Sequence, residues 1–230
     1  MINKYAIIVA GGKGVRMGGD IPKQFLLLSG KPLIMHTLEA FYSADPKIDL
    51  IVVLPESQRC YWDSLCKQFG FEIKHRVVNG GNTRYESVKN GLALLNDTGL
   101  VAVHDGVRPF INIDLIERCY KTAAQFGAAV PVTELTESIR RLSEGTSFSE
   151  RRETFRLVQT PQTFQLNVLK NAYQFPYRES FTDDASVVEA AGFKIELVIG
   201  CRENIKITTQ LDLMQAEQII KSGFRTKCWI

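Results

Sequence analysis

The stretch VAGGKGVRMGGDIPKQF, Val9 to Phe25, holds five glycines with Lys13, Arg16 and Lys23, and no acid before Asp20. Glycines let backbone N–H groups approach an anion, and a helix start beyond them adds a favourable dipole. Two familiar phosphate loops are excluded. No GxxxxGKS or GxxxxGKT string occurs, and Met17 stands where the third glycine of GxGxxG belongs. Arg16 and Lys23 bracket the loop, and Pro22 stiffens the backbone just before Lys23. Fixed cations on a rigid loop suit a triphosphate under attack, because they stabilise charge in phosphoryl-type transfer. The plainer alternative is a glycine-rich turn carrying solvated charges.

Three further groups have the right chemistry for the same site. Asp105 ends an apolar run beside Arg108, and ligands of open α/β sheets bind at the carboxyl ends of strands; its plain alternative is a turn or cap acid. Lys206 lies between Ile205 and Ile207, so alternation sets it on the face opposite the two isoleucines. Buried, it needs an anion; on an edge strand it would face water. Gly80-Gly81-Asn82 precedes Thr83-Arg84-Tyr85-Glu86, whose spacing is that of a capping box. Arg84 and Glu86 are read as helix-start residues, His104 as structural, and His36 and His75 as without a role.

These groups need a frame, and the chain alternates apolar runs with helical patterns. Strands are expected at Tyr5–Val9, Ile48–Leu54, Ile73–Val78, Leu100–His104, Ala128–Val132, Lys194–Ile199 and Ile205–Ile207. Helices are expected around Ile34–Tyr42, with Ile34, Leu38, Phe41 and Tyr42 on one face, and at Ser57–Phe69, Thr83–Leu95, Ile113–Phe126, Gln165–Tyr173 and Asp183–Ala191. A second capping box, Thr209 to Asp212, opens a last helix with Leu213, Ala216 and Ile220 inward. Such alternation implies a mostly parallel sheet with helices on both faces. The rhythm breaks from Thr133 to Gln159, a polar stretch with five arginines and a Glu144-Gly145 turn. It reads as a hairpin arm that must pack on something, a second protomer being the obvious candidate.

Composition bounds the rest. The chain has 230 residues and a formal net charge of +3, too small to argue for nucleic acid. No run approaches the length of a membrane span. Five scattered cysteines without a CxxC pair, and no secretion signal, suit reduced thiols and a cytoplasmic location. The cysteines, Trp62 and Trp229 are read as packing residues.

The strings AGGKGVRM and PKQF resemble the signature of GT-A-like, Rossmann-related nucleotidyltransferases. NGGNTRYESV (Asn79–Val88), VHDGVRPF (Val103–Phe110), TPQTF (Thr160–Phe164), TDDAS (Thr182–Ser186) and ENIKIT (Glu203–Thr208) follow in register. Together they resemble the 2-C-methyl-D-erythritol 4-phosphate cytidylyltransferases of the non-mevalonate isoprenoid pathway, over nearly the whole chain. The resemblance implies a single three-layer domain spanning 1–230, with a dimerising β-arm at about 133–159. It implies CMP transfer from CTP to the polyol phosphate, with Mg²⁺ present. Arg16, Lys23 and Lys206 would be the catalytic cations. Ala10, Gly11, Gly12, Gly14, Gly81, Asn82, Ser87 and Asp105 would bind CTP. Asp105, Arg108, Ser138, Arg152, Thr160 and Thr182 would bind the polyol phosphate, with Arg152 reaching the other protomer's site. Asp105 is the candidate metal ligand. Asn82 stands where many relatives carry Asp, and Ser138 where they often carry Thr. Thr182 could equally cap the helix after it. Two alternatives stay open: the related ribitol 5-phosphate cytidylyltransferases, and a nucleotide-binding regulatory module without turnover.

Overall fold

The computed structural model describes residues 2–11, 21–96 and 98–222. Arg16, Gly12 and Gly14 therefore lie outside the described residues, as do Cys228 and Trp229.

The chain opens with β1 (Lys4–Val9). A 3-10 turn at Lys23–Phe25 leads into a small ribbon, β2 (Leu27–Leu28) and β3 (Lys31–Pro32). Then follow α1 (Leu33–Ala44), β4 (Asp49–Leu54), α2 (Arg59–Gln68), β5 (Arg76–Asn79), α3 (Arg84–Ala93), β6 (Leu100–Asp105), α4 (Ile113–Phe126) and β7 (Ala128–Thr133). The hairpin β8 (Ile139–Ser143) and β9 (Thr146–Glu150) comes next, then β10 (Leu157–Val158) and β11 (Gln162–Gln165). Last are α5 (Leu166–Ala172), α6 (Asp184–Ala190), β12 (Glu196–Ile199) and α7 (Gln210–Lys221).

The main sheet runs β10-β7-β11-β6-β1-β4-β5, with β12 on the free flank of β7. β6, β1, β4 and β5 are mutually parallel, β12 is parallel to β7, and β10 and β11 run antiparallel to their neighbours. Period-two alternation divides the strands between two cores. Ala6, Ile8, Leu50 and Val52 pack under α1, α2 and α4, while Ile7, Ile51, Val53, Val101 and Val103 pack under α3, α5 and α6. The result is the expected mostly parallel sheet between two helical layers.

Several elements differ from expectation. Tyr42 is exposed, so α1 buries a narrower face of Ile34, Leu38 and Phe41. β5 begins at Arg76; before it, His75 leaves the ladder, its Nδ1 bonding the Ile73 carbonyl and its Nε2 accepting from Trp62 Nε1. Ile205–Ile207 is no strand. Tight local bonds, Asn204 N–H to Cys201 O and Ile205 N–H to Glu203 O, fold this segment into a turn. The arm is shorter than 133–159, because Thr133 stays in β7 and Leu157–Val158 return to it as β10. Gln162–Phe164, read only as part of a motif, and Gln165, expected to open a helix, form a strand in the middle of the sheet.

Candidate active site

At the carboxyl ends of β1 and β6 lies a cleft of about 900 Å³, lined by Ala10, Gly11, Lys23, the Gly80–Arg84 loop, Ser87, Asp105 and Lys206 among others. Each group reaches it for a local reason. Ala10 N–H donates to Val53 O at 3.0 Å, tying the start of the glycine loop to the end of β4. Lys23 is delivered by its 3-10 turn, which Phe25 anchors by stacking on buried Trp62 with ring centroids 6.0 Å apart.

The loop before α3 is built from its own sequence. Thr83 and Glu86 form the expected capping box. Glu86 Oε2 also accepts from the Asn82 N–H at 2.6 Å. Gly81 N–H donates to Ser87 Oγ at 3.1 Å, and the Ser87 hydroxyl donates to Thr83 O. A Cβ at Gly81 would run into the Glu86 side chain, so only glycine fits there. Asn82 is exposed at the rim, its side chain open to a ligand.

Asp105 is the electrostatic centre. Its Oδ2 lies 3.1 Å from both Lys206 Nζ and Arg108 Nε, and its Oδ1 lies 4.0 Å from Arg84 Nε. Burial would raise its pKa, but Lys206, Arg84 and Arg108 outweigh burial and hold the carboxyl well below the usual range. Lys23, Arg84, Arg108 and Lys206 thus stand with Asp105, Asp184 and Glu56, a small positive surplus among the described residues that suits phosphates.

Lys206 comes from the turn rather than from an alternating strand. Asn204, fully buried, donates to Thr160 O at 2.8 Å and accepts from Arg108 Nη1 at 2.8 Å through its carbonyl. Ile207 N–H bonds Val107 O, which fixes the other side of the lysine. Thr160 is buried, and its hydroxyl is engaged inside the protein, so the expected substrate contact gives way to a structural one. The Arg108 carbonyl can only accept, so His104 Nε2 carries the proton that reaches it at 3.2 Å. Nδ1 then accepts from Thr160, whose oxygen accepts from Asp105 N–H. Burial pushes the His104 pKa down to about 4, which keeps this ring neutral and structural.

The remaining expected residues do not line this cleft. Thr182 is exposed just ahead of α6, whose N-cap is Asp183 and not Thr182. Ser138 and Arg152 are exposed at the base of the hairpin, where Arg152 Nη1 bonds Thr136 O. Two residues that sequence reasoning passed over do matter. Arg84 lines the cleft, and its Nη2 binds Asp184 Oδ2 at 2.6 Å. Asp184 is fully buried and also accepts from the Tyr173 hydroxyl at 2.6 Å. A cation in the first turn of a helix opposes the helix dipole, and that was the signal available at Arg84.

The family model "IspD: 2-C-methyl-D-erythritol 4-phosphate cytidylyltransferase" matches residues 4–222. The chain belongs to the 2-C-methyl-D-erythritol 4-phosphate cytidylyltransferase family. It is 52% identical over 219 residues to the cytidylyltransferase of that name from Phocaeicola vulgatus, covering 95% of this chain and 100% of that one. The Bacteroides thetaiotaomicron protein of the same name is 53% identical over 212 residues, 92% of this chain and 97% of that one. Among solved structures, the cytidylyltransferase from Thermus thermophilus superposes with a TM-score of 0.77 at 31% identity, covering 96% of this chain and 100% of that one. The 4-diphosphocytidyl-2C-methyl-D-erythritol synthase of Anaerococcus prevotii gives 0.81 at 25% identity, covering 96% and 99%. As a member of this family the protein is an enzyme, a cytidylyltransferase of isoprenoid precursor biosynthesis. It moves CMP from CTP to 2-C-methyl-D-erythritol 4-phosphate, which selects methylerythritol over ribitol and turnover over a silent regulatory module. No helix among the described residues is long and apolar enough to cross a membrane.

Proposed function

We propose that the transfer takes place at Asp105, with Lys23 and Lys206 as catalytic cations and Arg16, outside the described residues, as the third. The observation that carries this reading is the convergence of Lys206, Arg108 and Arg84 on one buried carboxylate, in a cleft shared with Lys23 and the Gly80–Arg84 loop. Gly11, with Gly12 and Gly14 beyond it, carries the triphosphate on backbone N–H groups. The Gly81–Asn82 loop and Ser87 hold cytosine and ribose. Asp105 and Arg108 meet the polyol.

An oxygen of the polyol phosphate then bonds to the α-phosphorus of CTP in line, the bond from that phosphorus to the bridging oxygen breaks, and pyrophosphate leaves. A phosphate monoester is already largely ionised near neutral pH, so no base is needed. The work left to the protein is to hold two anions in line and offset their repulsion, and fixed cations do both.

The donor set also fits Mg²⁺. Such a cation takes most of its ligands from phosphate and water and needs only one or two carboxylates. Asp105 Oδ1 lies 4.0 Å from Arg84 Nε, beyond hydrogen-bond distance, and offers one such oxygen. Among the described residues no group of three acids, histidines or cysteines could enclose the ion alone. Bound there, Mg²⁺ would neutralise phosphate charge.

The active form is a homodimer in the cytoplasm, each chain one nucleotidyltransferase domain. Among the described residues the hairpin β8–β9 pairs only with itself, and it leaves Leu142 80% and Phe148 46% exposed. An isolated two-stranded ribbon is marginal in water, and a second copy supplies the missing surface. Ser138 and Arg152 would then bind the phosphate of the polyol held by the partner. Pyrophosphate release from CTP with methylerythritol 4-phosphate, set against ribitol 5-phosphate, tests the whole reading. Release with the first alone is expected, and release only with the second would overturn it.

A further inference from the structure

Arg84 stands in the first turn of α3, where a positive charge opposes the helix dipole and would ordinarily point into water. Instead it turns inward to the cleft. The reason is Asp184, in the first turn of α6, a fully buried carboxylate with both oxygens engaged: Oδ2 by Arg84 Nη2 and Oδ1 by the Tyr173 hydroxyl, each at 2.6 Å. A buried charge needs a partner, so the pair is obligatory on both sides.

The guanidinium is a planar fork, and two of its nitrogens have different acid neighbours here. Nη2 holds Asp184. Nε faces Asp105 Oδ1 at 4.0 Å, close enough for attraction and too far for a hydrogen bond. Without Asp184, Asp105 is the acid left to Arg84, and closing that gap would pair Oδ1 and withdraw it from the site of transfer proposed above. Other features of the neighbourhood are held independently. Glu86 and Ser87 fix the Gly81–Asn82 loop, and Gln162 fixes the start of α6 through Asp183 Oδ2 and Ala185 N–H. What Asp184 alone sets is the direction of Arg84.

We propose that Asp184 is a positioning residue for CMP transfer: it draws Arg84 off Asp105 and holds its guanidinium at the wall of the cleft, where the reacting phosphates meet. This rests on the reading of the site given above. It extends that reading to a residue that touches neither substrate.

The test is steady-state kinetics of pyrophosphate release in Asp184→Asn and Tyr173→Phe, with melting temperatures for each. Both substitutions disturb the same buried cluster, but only the first removes the charge that aims Arg84. For Asp184→Asn, kcat is expected to fall about 10- to 100-fold, the size of loss that small misplacements cause, while the KM for CTP stays within about threefold. Tyr173→Phe should lower the melting temperature and leave kcat within about threefold, since Arg84 keeps its anion. Arg84→Lys decides the matter if Asp184→Asn does not fold. A lysine keeps the charge but has one nitrogen where the guanidinium sets two in a fixed plane, so the same fall in kcat is expected. A kcat near wild type in Asp184→Asn or, failing that, in Arg84→Lys, or equal losses in Asp184→Asn and Tyr173→Phe, would overturn the role of Asp184. Wild-type protein that released no pyrophosphate would instead overturn the reading of the site itself.

Discussion

At the carboxyl ends of β1 and β6 the charged groups lean on one another. Lys206 and Arg108 hold Asp105, Arg84 holds Asp184, and buried Asn204 ties the lysine turn to Arg108 and Thr160. In the hairpin β8–β9 the contacts are of another kind. Arg141 pairs with Glu150 at 2.7 Å but both reach solvent, and Leu142 is 80% exposed. Exposed pairs of that sort contribute at most about 1 kcal/mol. The turn itself is well made, since Glu144 and Gly145 both have positive φ, 48° and 77°, as a two-residue type I′ loop requires. The charged groups of the cleft are therefore held by their own chain, whereas the arm has a defined local shape and leaves Leu142 and Phe148 exposed. Fixed charge suits catalysis, and a polar ribbon with exposed apolar side chains suits attachment to a second copy.

The sharpest way to break this contrast is to remove a cation from the cleft. Lys206→Ala and Lys23→Ala should each lower kcat by roughly 100- to 1000-fold, the loss of one preformed charge contact, about 3–4 kcal/mol. Melting temperature should hardly move for Lys23→Ala and should fall for Lys206→Ala, which takes a partner from buried Asp105. Turnover within threefold of wild type, measured by pyrophosphate release, would remove that lysine from the machinery.

Next in size is the choice of base. Uracil presents a carbonyl where cytosine presents an amino group, so backbone carbonyls of the Gly81–Asn82 loop that pair with CTP would be left unpaired by UTP. A preference of about 100-fold or more in kcat/KM for CTP is expected. Equal values for the two nucleotides would show that this loop does not read the base.

The third concerns the supporting layer of the cleft. His104 is neutral when folded, with a pKa near 4 against 6.5 for a free histidine. Between those values the unfolded chain binds more protons, so stability should decline as pH falls from 6.5 towards 4, by about 3 kcal/mol in all. Asp105, also held low, loses its contribution only as pH falls below 3.8, so the two windows separate. Urea unfolding across this range should show the slope in the wild type and lack it in His104→Gln.

The smallest effect belongs to the arm. Leu142→Asp should change the stability of the isolated protomer by no more than about 0.5 kcal/mol, as exposed positions do. It should still shift the mass seen in sedimentation towards the protomer. A large loss of protomer stability would mean that the hairpin packs on its own chain.

How far the sequence made this visible follows the same division. Both capping boxes, the parallel strands and Asp105 could be read because local rules state them: Thr83 with Glu86, Thr209 with Asp212, an acid closing an apolar run. Lys206 was legible as a cation that needs an anion, but not its setting, since the turn around it is held by Asn204 from 44 residues away in the chain at Thr160. Thr160 is a substrate contact only by the family resemblance, and only folding brings His104 and the Asp105 amide to it. Arg84 and Asp184 lie 100 residues apart, and no periodicity links them.

The direct test of a site shared between a self-sufficient cleft and a borrowed arm is complementation. Arg152→Ala and Lys23→Ala protomers, each nearly inactive alone, are mixed and allowed to exchange, with exchange followed independently by native mass spectrometry. If Arg152 serves the partner's cleft, each mixed dimer has one site with both residues and one with neither. Half of the dimers are mixed, so about a quarter of wild-type activity should return, given two-fold symmetry. Exchange without any recovery would place Arg152 in its own protomer's site, or in none, and contradict the shared site.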